Sequence, residues 1–165
     1  MSIIFNADEV FEMAEQIERN GSAFYRKAAA NNPDGSESAL LLEIAAQEDE
    51  HLAVFQKMRK ELAGRETEAT TFDPHGEAAL YLKAMADGRV FDPNEDPVSR
   101  LKGQESLAEI IRIAIELEKD SIIFYLGLKE AVPEKMGSNK LTNIIREEMK
   151  HIRWLSEKLG SGGDA

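Results

Sequence analysis

Glu48-Asp49-Glu50-His51 and Glu148-Met149-Lys150-His151 are one Glu-x-x-His pair written twice, 100 residues apart. The repeat extends upstream, because Glu18 with Phe24-Tyr25 recurs as Glu118 with Phe124-Tyr125 at the same offset of 100. Residues three apart on a helix share a face, so Glu48 and His51 point together, as do Glu148 and His151. Each half of the chain therefore offers one lone glutamate and then one Glu-x-x-His.

Apolar residues recur at helical spacing around all of these positions. The spacing predicts a first helix over about 6–31, capped by Asn6 with Glu9 three residues on. Its inner stripe is Val10, Phe11, Ala14, Ile17, Gly21, Phe24, Tyr25 and Ala28, and Asn31-Asn32-Pro33-Asp34-Gly35 breaks it. A second helix is expected from about Ser36 to Ala63, stopped by Gly64. Ser106-x-x-Glu109 is a capping box for a third helix ending near Val132-Pro133. The fourth begins at Ser138 or Asn139 and is closed by Gly160, with a disordered tail over 161–165.

Arg65 to Glu105 is far longer than an ordinary helix–helix connection. A four-helix bundle of two antiparallel hairpins joined by one long crossover accounts for that length. Gly76 to Gly88 reads as a short helix within the crossover, and Asp92-Pro93-Asn94-Glu95-Asp96-Pro97 as irregular chain. The expected fold is all-α and one domain over 1–160: hairpin 6–63, crossover 64–105, hairpin 106–160.

Composition narrows the function. At 165 residues the chain is long enough for a real core, and 42% hydrophobic with 31% charged residues suits a folded bundle. A net charge of -11 argues against nucleic acid, whose phosphates need a basic face. With no cysteine, disulfides, thiolate zinc sites, iron–sulfur clusters and rubredoxin-type iron are excluded, so any transition metal is held by oxygen and imidazole. Met1 to Asp8 lacks a basic start followed by an apolar run, and no stretch of about 20 apolar residues is present. The expectation is a cytoplasmic protein with no membrane partner.

Glu18, Glu48, His51, Glu118, Glu148 and His151 all fall on the inward stripes. Carboxylates converging in an apolar interior repel one another and lose hydration, which two bound cations resolve. In this reading Glu18 and Glu118 bridge the metals, and each Glu-x-x-His supplies one carboxylate and one imidazole. Such ligation without sulfur suits iron or manganese and tolerates zinc. Two ions about 3.5–4 Å apart can deliver two electrons to one oxygen species. Tyr25 and Tyr125 are candidates to hydrogen-bond a ligand carboxylate or pass an electron, or are core aromatics with a polar handle. Glu15, Glu116 and Glu147 read chiefly as surface charges, with a role beside the ligands as the alternative. His75 reads as an exposed loop residue, and Trp154 as packing.

Glu18 with Phe24-Tyr25, Glu48-x-x-His51, Ile115-Glu116-Leu117-Glu118-Lys119 through Phe124-Tyr125, and Glu148-x-x-His151 resemble the rubrerythrin family of the ferritin-like superfamily. The resemblance spans about residues 5–160. It implies a ferritin-like di-iron bundle, often a homodimer, that reduces peroxide or dioxygen while oxidising Fe(II), in oxidative-stress defence or iron handling. The alternative it carries is a non-enzymatic ferritin-like iron-binding or storage protein. Without cysteine there is no rubredoxin domain, so electrons come from an external donor. The family's further glutamate, three residues before the third-helix ligand, is Ile115 here.

Overall fold

The computed structural model describes residues 7–62, 76–86, 92, 94–132 and 134–161. Among the described residues five α-helices form: α1 (Ala7–Asn31), α2 (Ser38–Leu62), α3 (Glu77–Ala86), α4 (Leu107–Ala131) and α5 (Ser138–Ser161). There is no strand among the described residues. The expected four-helix bundle is therefore present, with α3 as the short helix of the crossover. The expected Asn6 cap, the Gly64 stop, His75 and positions 162–165 lie outside the described residues.

Local chemistry sets the ends. Ser106 Oγ accepts from Glu109 N at 3.2 Å, and Glu109 Oε2 accepts from Ser106 N at 2.7 Å, so the capping box is closed in both directions. The turn after α1 is held by backbone bonds from Gly35 N to Asn32 O and from Ser38 N to Gly35 O, both 3.1 Å. Before α5, Gly137 sits at φ +109°, which L side chains rarely adopt. Two boundaries differ from expectation. Pro97 is not irregular chain but opens a 3-10 turn, Pro97–Arg100, capped by the Asp96 side chain; proline suits that first position because its missing N–H has no partner to lose. Gly160 does not close α5, which runs on to Ser161.

α1 packs along α2 and α4 along α5, and the two hairpins meet mainly through α1 and α4. Two apolar clusters fill the bundle. One takes Phe11 and Ala14 of α1, Phe55 and Met58 of α2, Phe124 and Leu128 of α4, and Leu141 and Ile144 of α5. The other takes Phe24 and Ala28, Leu41 and Ile44, Ile111 and Ala114, and Leu155. Along α1 and α5 the first cluster precedes the second; along α2 and α4 the order reverses. Thus α2 and α4 run the same way, and the chain between them must return along the whole bundle. Glu18, Glu48, His51, Glu118, Glu148 and His151 occupy the layer between the clusters. Among the described residues no helix is long and apolar enough to cross a membrane.

Candidate metal centre

Each bundle helix brings its ligand-type residue to the middle layer because apolar residues one or two turns away on the same stripe anchor its rotation. All six side chains are buried, Glu18, Glu148 and His151 to 0% exposure. Both histidines turn Nδ1 inward. His51 Nδ1 lies 3.2 Å from Glu148 Oε1 and 3.4 Å from Glu18 Oε2. His151 Nδ1 lies 3.0 Å from Glu148 Oε2 and 3.4 Å from both Glu48 Oε1 and Glu118 Oε1. The imidazoles stack with centroids 6.0 Å apart.

The ligand atoms fall into two overlapping groups, Glu18–Glu48–His51–Glu148 and Glu48–Glu118–Glu148–His151, each drawn within 4.8 Å. Glu48 and Glu148 are common to both. The sequence reading gave the shared position to Glu18 and Glu118; in the structure it is Glu48 and Glu148 that belong to both groups. The physical reason is partly Gly21: a Cβ there would collide with Glu48 Oε2. The missing side chain on α1 is the space into which the Glu48 carboxylate extends.

Burial and mutual charge shift the protonation of every group in the cluster. Burial, followed by the charges of Glu148, Glu118 and Glu18, pushes Glu48 well above the carboxylate range. Burial and the charge of Glu148 raise Glu18 to about 7, against the pull of His51 and Tyr125. The same two causes take Glu118 to about 8, with His151 opposing. Burial also works on Glu148, but the facing imidazoles of His151 and His51 outweigh it and hold that carboxylate below its usual range. Burial opposes charge on His51, yet Glu148 and Glu18 overcome it and lift the imidazole to about 11; Glu118 and Glu148 likewise lift His151 to about 9. Two imidazoliums and shared protons thus offset carboxylates that could not all ionise.

The residues fit a metal pair on a separate ground. Eight buried side-chain polar atoms have no hydrogen-bonding partner among the described residues, and seven belong to these six residues. They include both inward Nδ1 atoms and both oxygens of Glu148. They face one another as ion-pair contacts without well-formed hydrogen bonds, an arrangement native proteins rarely keep in a buried site. A set of carboxylate oxygens and imidazole nitrogens without sulfur matches the preference of iron, manganese or zinc.

The tyrosines bind across the halves. Tyr25 Oη donates to Glu118 Oε1, and Tyr125 Oη to Glu18 Oε1. Burial first, then the adjoining carboxylate, holds each phenol well above its ordinary pKa, so both remain donors. Tyr25→Phe or Tyr125→Phe leaves a buried carboxylate oxygen without its donor, a loss of about 1–3 kcal/mol. Melting temperatures of both variants should fall by several degrees, and unchanged values would refute the pairing.

Gln47 escaped the sequence reading, and for Glu147 the alternative role beside the ligands holds. Glu147, taken as a surface charge, accepts from His51 Nε2 at 2.6 Å, and Gln47 Oε1 meets His151 Nε2 at 3.0 Å. Their signal was available: positions 47 and 147 are polar, in register with the repeat, and adjoin the ligand glutamates. Glu147 remains partly exposed, whereas Glu15 is not a surface charge. It is 4% exposed and paired with Arg19 at 2.8 Å and Arg59 at 3.4 Å, tying α1 to α2. Glu116 is exposed and pairs with Lys119, as expected. Trp154 packs with the apolar cluster, 6.0 Å from the His151 ring. A cavity of about 230 Å³ opens between α1 and α4 beside the 3-10 turn, with Gly21, Tyr25, Glu48 and Glu118 at its inner end.

A family model for the ferritin-like domain matches residues 7–161, and the chain belongs to that family. A crystal structure from Thermotoga maritima, of a protein provisionally described as a ferritin-like diiron-carboxylate protein, superposes with a TM-score of 0.69. The two chains are 25% identical, and the match covers 93% of each. No curated protein matches the chain in sequence. The chain is thus a ferritin-like protein with a buried glutamate–histidine cluster able to bind metal.

Proposed function

We propose that this chain is a dinuclear non-haem iron protein of rubrerythrin-like type, which reduces peroxide or dioxygen at the expense of Fe(II) and is then re-reduced by an external donor. The observation that carries this reading is the pair of overlapping ligand groups sharing Glu48 and Glu148, with their inward atoms otherwise unpartnered. The Thermotoga maritima relative, described as a diiron-carboxylate protein, supports iron as the metal.

Glu18 and His51 would hold one ion and Glu118 and His151 the other, with Glu48 and Glu148 serving both. Two Fe(II) ions side by side supply two electrons in one encounter, the number needed to take hydrogen peroxide and two protons to two waters. The protein's own part is positioning. Tyr25 and Tyr125 steer Glu118 and Glu18, and the apolar clusters on either side exclude bulk water. The cavity at Glu48 and Glu118 admits a molecule of peroxide size.

Stopped-flow mixing of the Fe(II)-loaded protein with hydrogen peroxide tests this. Oxidation should be much faster than for Glu48→Ala under the same conditions. Equal rates would remove the redox reading and leave iron binding alone.

A further inference from the structure

The two halves of the centre carry the same three ligand residues, two glutamates and one histidine, yet their surroundings differ in two independent ways. The first is the group behind each imidazole. His51 Nε2 is held at 2.6 Å by the carboxylate of Glu147, whereas His151 Nε2 is held at 3.0 Å by the neutral amide oxygen of Gln47. With Nδ1 inward, Nε2 carries the proton donated outward. A carboxylate accepting that proton makes the inward nitrogen a stronger donor to a cation than an amide does, and such partners typically alter metal affinity 10–100-fold. The second difference is access. The cavity between α1 and α4 touches Glu118, Tyr25 and the shared Glu48, but not Glu18 or either histidine. Tyr25 bonds Glu118, so of the two unshared glutamates the cavity reaches Glu118 and not Glu18.

Both differences act in the same direction. We propose that the two ion positions are inequivalent: the enclosed Glu18–His51 position, backed by Glu147, retains its ion, whereas the cavity-facing Glu118–His151 position, backed by Gln47, exchanges its ion with solvent and meets the oxidant. Glu147 and Gln47 are positioning residues that set this order through the histidines. The inference rests on the two-metal reading above and deepens it. It also gives the repeat a use: one substitution between matched positions, glutamine at 47 and glutamate at 147, separates a permanent ion from a working one.

Titration of the metal-free protein with Co(II), followed by its visible spectrum and by proton NMR, tests the proposal without recourse to activity. Wild type should take up two ions per chain in two separable steps. At one equivalent, a single hyperfine-shifted, solvent-exchangeable imidazole proton should appear. Glu147→Gln should weaken the first step by about 10–100-fold, leave the second in place, and move that resonance. Gln47→Glu should tighten the second step and leave the resonance of the first ion where it was. A chelator such as dipicolinate should remove one Co(II) quickly from wild type and both quickly from Glu147→Gln. Two equal steps in wild type would overturn the proposal, as would equal weakening of both steps, or of neither, in Glu147→Gln. A first-ion resonance that moves only in Gln47→Glu would reverse the assignment and overturn it too. Saturation below two ions per chain has a different meaning, since it removes the two-metal reading itself.

Discussion

Saturating the metal-free protein with Fe(II) under anaerobic conditions should raise its melting temperature by about 10 °C. A ligand that binds only the folded state, at about 1,000 times its dissociation constant, contributes about 4 kcal/mol. In a chain of this size each kcal/mol moves the midpoint by about 2–4 °C. The same experiment on Glu48→Gln should separate metal binding from folding. Glu48 is pushed well above the carboxylate range by burial and by three neighbouring glutamates, which favours its protonated form in the metal-free protein. Glutamine has nearly the shape of the protonated acid. The variant should therefore melt within about 1 °C of wild type without metal, a small part of the 2–4 °C that one kcal/mol moves. The metal-induced rise should be largely lost, because one side chain common to both ligand groups has lost its anionic form. If Glu48→Gln retains the full rise, Glu48 is not a shared ligand.

Stability of the metal-free protein should fall steadily from pH 5.5 to pH 9, and metal should reverse the trend up to about pH 8. Glu18 and Glu118 are raised from 4.5 to about 7 and about 8, so the folded chain holds protons there that the unfolded chain has released. Stability from these two groups therefore declines as pH rises through that window. His51 and His151 are raised from 6.5 to about 11 and about 9; their contribution is complete below 6.5 and is lost as pH climbs through the folded values. Glu148 has the opposite sign, but its window lies below 4.5. Bound cations take the place of these protons, so metal affinity is weakest in acid and binding releases protons. Melting curves across pH, with and without metal, check both slopes. Parallel slopes in the two forms would contradict this account.

All six residues of the buried glutamate–histidine layer were readable as a set, since a helix periodicity and a repeat at a fixed offset are properties of the chain alone. Glu48 and His51 had to share a face whatever lay opposite them. The capping box at Ser106 and Glu109 was legible for the same reason, as was the bundle topology implied by the long crossover. The roles within the centre were not legible. Which glutamates stand between the ions depends on how far each helix is rotated and on whether a neighbouring helix leaves room. Gly21 looked like one more small residue on an apolar stripe, and only its closeness to Glu48 shows that it clears space for a carboxylate.

Charge alone could not sort Glu15 and Glu147 from the many exposed acids. Glu15 is buried because Arg59 of α2 reaches it, and Glu147 belongs to His51 across 96 residues of chain. The sequence by itself determined the helices, their inward stripes and the identity of the candidate ligands, because these follow from spacing within one segment. Only the tertiary structure decided which tyrosine steers which glutamate, which carboxylates are shared, and which imidazole is backed by charge. Those depend on distances of a few ångströms between helices, set when the two hairpins pack and not encoded in any one stretch of chain.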